Sequence, residues 1–156
     1  MTGRVGVVAM CLLSAACNQE PQRDAASAEQ RQLPAREDTI AGFRVRLVDS
    51  SQCVLAYNDG SVERQITLRI PTPCVLHRDL AGSLRVHAMP NGSHVFLIEH
   101  SVPNPKSPGD CDTHIQAVLL SAEGARSSRA VERVAMCPPF QWDDVMFVGL
   151  FDEAPK

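Results

Sequence analysis

From Gly42 onward, apolar and polar residues alternate, and this period of two constrains the fold more than any other feature of the chain. Phe43, Val45 and Leu47 alternate with two arginines, which is typical of a strand with one buried and one exposed face. Similar runs follow, separated by turn residues at intervals of roughly ten. The sequence therefore predicts a mostly β domain, a small antiparallel sandwich or barrel of about eight strands.

The first predicted hairpin joins residues 52–57 to residues 62–70. Its turn is Asn58-Asp59-Gly60, in which Gly60 supplies the positive φ that closes a hairpin. In the return strand one face is apolar and the other is polar, and two prolines end it because proline has no N–H to donate to a ladder. The apolar face consists of Val62, Ile66, Leu68 and Ile70.

The second predicted hairpin joins residues 83–89 to residues 93–99 through Pro90-Asn91-Gly92. A type I turn followed by a glycine bulge sets Met89 opposite Ser93, with the proline φ placed where the turn needs it. The alternative is a two-residue Asn-Gly turn, which would turn the other face of the return strand inward. We prefer the first register.

The remaining elements are predicted from short runs. Residues 95–98 are apolar on both faces, which indicates a central strand. Residues 101–113 contain three prolines and a glycine and are predicted to form a long irregular loop. Residues 114–121 read as a strand and residues 129–137 as a strand or a short helix, with the strand preferred. Residues 145–151 are predicted to form a final apolar strand.

An export signal precedes the domain, over residues 1–16. Its uncharged apolar run is too short to span a bilayer as a helix. Leu13-Ser14-Ala15-Ala16-Cys17 resembles the lipobox of bacterial lipoproteins, with Ser14 where leucine is most common. The resemblance implies cleavage before Cys17 and a lipid on its sulfur. Because Asn18 replaces the aspartate of inner-membrane lipoproteins, it also implies an outer-membrane anchor facing the periplasm; the alternative is an ordinary cleaved signal.

Residues 17–40 are predicted to be the lipidated cysteine and a flexible tether. The segment is rich in Gln, Glu, Arg and Ala and contains too little apolar surface to offset its ordering entropy. Such a tether has a root-mean-square reach of roughly 25 Å. The folded domain is then expected over residues 41–153.

Four cysteines remain in the predicted domain, and an even number in an exported chain implies two disulfides. Of the three possible pairings we favour Cys53–Cys74 and Cys111–Cys137, because each closes a short loop within one half of the domain. The alternative is a zinc site, but the chain has no Cys-x-x-Cys and no histidine pair at zinc spacing. We predict no metal and no cofactor.

Several function classes lack their residue patterns. A formal charge of −3 argues against nucleic-acid binding. In the preferred register His87 and His94 lie on opposite faces of their hairpin, so they could not bind the same metal ion. The serines have no Gly-x-Ser-x-Gly frame, and adjacent acidic residues such as Asp143 and Asp144 point apart on a strand. We therefore predict that the protein is not an enzyme.

Surface residues are then the candidates for partner binding. Of 15 basic residues 13 are arginine, and an arginine-rich sheet face can pair with carboxylates of a protein or an anionic glycan. The predicted loop is the second candidate surface. The single tryptophan is either an interface anchor or a core residue next to Cys137. The candidates are Arg44, Arg46, Arg69 and Arg85 on the sheet, Pro103, Asn104, Pro105 and Lys106 in the loop, and Trp142.

These observations together predict a lipid-anchored envelope protein that binds a periplasmic protein partner. By analogy of general class, it would act as an inhibitor or immunity-type protein that occludes its partner. The alternative is a structural or assembly subunit of an envelope complex, held by the arginine face. A hydrolase of cell-wall material is a third hypothesis.

Overall fold

The computed structural model describes residues 36–48 and 50–152, within which ten strands and one helix are formed. The strands are β1 (Glu37–Ile40), β2 (Phe43–Val48), β3 (Val54–Asn58), β4 (Glu63–Thr67), β5 (Val75–Leu76), β6 (Val86–Ala88), β7 (His94–Pro103), β8 (Cys111–Ser121), β9 (Gly124–Ser127) and β10 (Glu132–Val134). The helix α1 covers Asp144–Asp152. The predicted mostly β class is confirmed.

The strands form two antiparallel sheets. The four-stranded sheet has the order β1-β2-β3-β4, in which each strand pairs with its neighbour in sequence. The six-stranded sheet has the order β10-β8-β7-β5, and in addition β6 pairs with β7 and β9 pairs with β8. The β7–β8 hairpin is its centre, paired continuously from His94↔Leu120 to Pro103↔Cys111.

The first hydrophobic core lies between the two sheets. Val45 and Leu55 of the four-stranded sheet and Phe96 and Val118 of the six-stranded sheet are fully buried in it. These residues sit at alternating strand positions, as the period of two requires. The arrangement is therefore a two-sheet sandwich.

A second core covers the other face of the six-stranded sheet. Val95, Leu97 and Ile115 point away from the first core and pack against Phe147 of α1. Both faces of β7 are therefore buried, which explains why residues 95–98 are apolar without alternation. No helix in the described part of the chain is long and apolar enough to cross a membrane.

The preferred register of the second hairpin is confirmed. Met89 N–H donates to the Ser93 carbonyl (2.8 Å), Gly92 has a φ of 80°, and His87 lies opposite Val95. The two histidines of the hairpin therefore point to opposite faces, since His94 lies opposite Ala88.

Both predicted disulfides are confirmed, with Cys53–Cys74 and Cys111–Cys137 each bonded. The two bridges lie toward the same end of the six-stranded sheet. Cys74 directly precedes β5, whose Val75 pairs with Glu99, and Cys111 begins β8 a few residues further along the same hairpin.

The prediction of a strand at residues 145–151 is wrong, because this segment belongs to α1. Its apolar residues are suited to either structure, and the decisive factor is tertiary: the segment covers a broad apolar face of the six-stranded sheet. Asp144 in the first helical turn favours the helix further through the macrodipole.

The predicted loop at residues 101–113 is also too long. Residues 101–103 continue β7 and residues 111–113 begin β8, so only residues 104–110 connect them. Pro103 is tolerated because it ends its strand, where no ladder bond is needed from it.

The bounds of two strands, β1 and β4, also differ from the sequence prediction. β1 begins at Glu37, within the segment assigned to the tether, because Ile40 is buried in the first core and Asp38 pairs with Arg78. β4 covers only Glu63–Thr67 of the predicted strand 62–70. Val62, which was predicted to lie on the apolar face of that strand, is 61% exposed. The predicted lipidation site and the rest of the tether lie outside the described residues.

The helix assignment makes a sharp prediction about two neighbouring positions. In α1, Phe147 is fully buried and Val145 is 74% exposed, since residues two apart lie about 200° apart around a helix. Phe147→Ala should lower the free energy of unfolding by about 3–5 kcal/mol. Val145→Ala should change it by less than about 0.5 kcal/mol. Urea unfolding of both variants measures this; equal losses would indicate that the two side chains share one face, as on a strand.

Candidate functional site

The connection between β7 and β8, loop 104–110, is the most prominent irregular segment at the disulfide end of the sheets. It is closed by its own hydrogen bonds: Asn104 N–H donates to the Asp110 carbonyl (2.9 Å), Ser107 N–H to the Asn104 carbonyl (3.2 Å), and Lys106 N–H to Asn104 Oδ1 (3.0 Å). Ser107 Oγ also donates to the Asp110 carboxylate. The loop is thus an ordered structure with an Asx turn at its start.

The foot of the loop is held by the second disulfide. Cys111, the first residue of β8, is bonded to Cys137, and its N–H donates to the Ala135 carbonyl (3.4 Å). The Cys137 sulfur lies 3.4 Å from the Gly109 carbonyl oxygen. The segment after β10 is therefore fixed against the loop.

Exposed apolar side chains flank the loop. Val102 is 42% exposed and Met136 is 49% exposed, and Thr113 Oγ1 donates to the Met136 carbonyl (2.7 Å), which fixes the backbone there. Pro105 and Lys106 are exposed within the loop itself. Exposed apolar side chains and one lysine therefore lie in the loop and in the segments next to it.

A charged pair lies on the strands at the base of the loop. Arg133 of β10 donates to both carboxylate oxygens of Asp112 on β8, at 2.6 and 2.7 Å. These hydrogen bonds lower the pKa of Asp112 below its ordinary value, with a smaller contribution from the positive charge of Arg133. The pair connects β10 to β8 on the exposed side.

Of the four arginine candidates, three already hold carboxylates. Arg44 lies 3.5 Å from Glu37, and Arg46 makes a bidentate contact with Glu63 at 2.8 and 3.2 Å. Arg85 lies on the other sheet, 3.2 Å from Asp144 of α1 and stacked over Phe147 at 5.2 Å. The structure therefore does not gather these residues into one free cationic face.

Arg69 is the exception. Its Nη1 donates to the Arg129 carbonyl oxygen (2.9 Å), and its backbone N–H donates to the buried Gln116 Oε1 (2.7 Å). It lies just after β4, exposed, with its backbone fastened to the six-stranded sheet.

Trp142 belongs to the interior. Only 9% of it is exposed, and its ring packs edge-on against Phe140 at 5.3 Å in the second core. The sequence placed it either at an interface or in the core, and the core position is the one observed. It is not available as a surface anchor in this structure.

The histidines do not form a metal centre in the part of the chain that is described. There, no group of three or more His, Cys, Asp and Glu side chains is arranged to hold a metal ion. His77 and Glu99 form a pair at 3.0 Å, but both are buried under Phe140 in the second core. His100 and His114 face each other across β7 and β8, with ring centroids 6.3 Å apart.

Sequence reasoning missed Val102 and the Asp112–Arg133 pair, because it assigned residues 102 and 112 to an irregular loop. It also gave no sign that Met136, in the predicted strand 129–137, would be exposed. A signal was present. The Pro108-Gly109 dipeptide marks a turn, and from Cys111 onward less polar residues alternate with Asp112, His114 and Gln116 as in a strand.

Comparison with protein-family models, with curated proteins and with solved structures found no significant match to this chain.

The pKa of Asp112 provides a test of the pair at the base of the loop. Because this pKa is lowered in the folded protein, the pair stabilises the fold above the ordinary carboxyl pKa of about 4 and loses that effect as the pH falls through the folded value. Arg133→Gln should raise the pKa of Asp112 toward its ordinary value, as measured by carboxyl ¹³C NMR. Asp59, whose pKa is lowered by a hydrogen bond from Ser61, is the internal control and should not change.

Proposed function

We propose that this chain is a lipid-anchored binding protein of the bacterial envelope that occludes a protein partner in the periplasm. The observation that carries the proposal is loop 104–110, which is ordered by internal hydrogen bonds and held at its foot by the Cys111–Cys137 disulfide. The export signal with its lipobox-like Leu13–Cys17 segment supplies the location.

Preorganisation is the physical reason for choosing this loop. Ordering a flexible loop on binding costs about 1–2 kcal/mol per residue for the backbone alone. Loop 104–110 is already ordered, so that cost is met during folding and does not reduce affinity. Two of its seven residues are proline, which restricts the backbone further.

The chemistry of the surface indicates how the loop would be recognised. The loop carries the exposed Pro105 beside Lys106, the only lysine among the described residues, and the exposed Val102 lies near the end of β7 just before it. A partner cleft with an apolar wall and a carboxylate would match this set. Binding there would block the cleft without any chemical step.

The loop can be removed without disturbing the disulfide at its foot. Replacing residues 104–110 by Asn-Gly should preserve the Pro103↔Cys111 pairing, because a two-residue turn closes an antiparallel hairpin at that point. We expect that this variant, unlike the parent chain, does not retain the partner in a pull-down from periplasmic extract. Reconstitution with the purified partner then repeats the comparison. Lys106→Glu should weaken binding at least about tenfold, as loss of a charge-assisted contact does.

Two controls belong to that experiment. Glu123→Lys changes the charge at the opposite end of β8 and should leave binding intact. Charge reversal at Arg44 and Arg69 should likewise have little effect on the loop partner. Release of the partner by the arginine changes, together with retention by the loop variant, would instead favour an assembly subunit held through its arginines.

The lipid anchor is tested separately. In a bacterium that processes lipoproteins, the chain should incorporate labelled palmitate and fractionate with the outer membrane. Cys17→Ser should abolish labelling, because no sulfur would be left at that position to carry the lipid. Cys11→Ser is the matched control and should label normally; unlabelled wild-type chain released into the periplasm would indicate an ordinary cleaved signal.

A further inference from the structure

A groove of about 490 Å³ lies beside the first disulfide, lined by residues 51–52 and 67–72. The Cys53–Cys74 disulfide links the two segments that follow these lining residues in the chain. In addition, Leu68 N–H donates to the Cys53 carbonyl (2.8 Å). Leu68 and Ile70 direct their side chains into the first core and are each only 4% exposed. The disulfide, this hydrogen bond and the two core side chains therefore hold the backbone that lines the groove in place.

Four of the eight residues that line the groove carry neutral hydrogen-bonding side chains. They are Ser51, Gln52, Thr67 and Thr72. Within the described residues none of these four side chains forms a hydrogen bond with another part of the protein. Hydroxyls both donate and accept, and the amide of glutamine carries two donors and an acceptor. The groove thus presents several polar side chains without a hydrogen-bond partner among the described residues.

Arg69 is the one charged residue among those that line this groove. Its guanidinium is positioned by the Arg129 carbonyl, a neutral acceptor that takes one N–H. No carboxylate among the described residues lies within 4.0 Å of it, in contrast to Arg44, Arg46 and Arg85. A guanidinium has five N–H donors, so most of them remain available for a ligand.

We propose that this groove binds an anionic sugar, that is, a saccharide carrying a carboxylate or a phosphate. The guanidinium matches the two oxygens of either anion. The surrounding hydroxyls and amide match a ligand that has several hydroxyl groups next to a single charge. An acidic peptide lacks these hydroxyl groups. This site shares no residue with loop 104–110 and does not depend on the function proposed for the loop.

The test is a ¹H–¹⁵N NMR titration of the oxidised full chain with two charged sugars, glucuronic acid for the carboxylate and glucose 6-phosphate for the phosphate. At least one should shift the amide signals of residues 51–52 and 67–72, and the two arms distinguish the anions. Higher salt should weaken the binding, because the charges are solvent-exposed. Arg69→Gln should weaken it about tenfold.

Matched variants separate the charge from the hydroxyl groups. Arg44→Gln removes an arginine outside the groove and should bind the sugar like the parent chain. Thr67→Val keeps the charge and should weaken the charged sugar severalfold while leaving inorganic phosphate unchanged. An unaltered spectrum outside the groove shows that each variant is folded.

Three results would each overturn the proposal. The first is that neither charged sugar shifts the groove amides. The second is equal affinity of the Arg69→Gln variant and the parent chain. The third is that inorganic phosphate or a tetra-aspartate peptide binds as tightly as the charged sugars, since the neutral groups of the groove would then contribute nothing.

Discussion

The pairing of β7 with β8 is the interaction on which the rest of the structure depends. This hairpin is buried on both faces, so it supplies one wall of the core between the sheets and one wall of the core under α1. Every other strand of the six-stranded sheet attaches to one of its two members. Its far end carries loop 104–110, and the same rigid pairing that organises both cores thereby positions the proposed binding surface.

Gln116 shows how the two sheets are joined at an edge. It is fully buried on β8, where its amide oxygen accepts from the Arg69 backbone N–H and its amide nitrogen donates to the Ser128 carbonyl, both at 2.7 Å. A buried side-chain amide whose oxygen and nitrogen both have hydrogen-bond partners fixes the two segments that it joins in one arrangement. The end of β4 is fixed to the six-stranded sheet in this way, and the groove at Arg69 inherits its shape from that connection.

The β class, both disulfides and the register of the second hairpin followed from local information: alternation, the number and spacing of the cysteines, and the φ of Pro90. The extent of the β7–β8 hairpin did not, because three prolines near its tip resemble an irregular loop until the pairing partner is known. The C-terminal helix was missed for a related reason. A short apolar run such as residues 145–151 fits a strand or a helix, and the choice depends on the sheet face that it covers. The pairing of most candidate arginines with carboxylates is likewise a tertiary fact.

The position of α1 in the chain has a consequence for biosynthesis. It follows all ten described strands, so it is the last of these elements to be synthesised and to leave the ribosome. Until it arrives, Val95, Leu97 and Ile115 have no cover on their side of the sheet. Completion of the fold is thus coupled to completion of synthesis, and a product truncated before Phe140 would present an apolar sheet face to the proteases and chaperones that survey newly made chains.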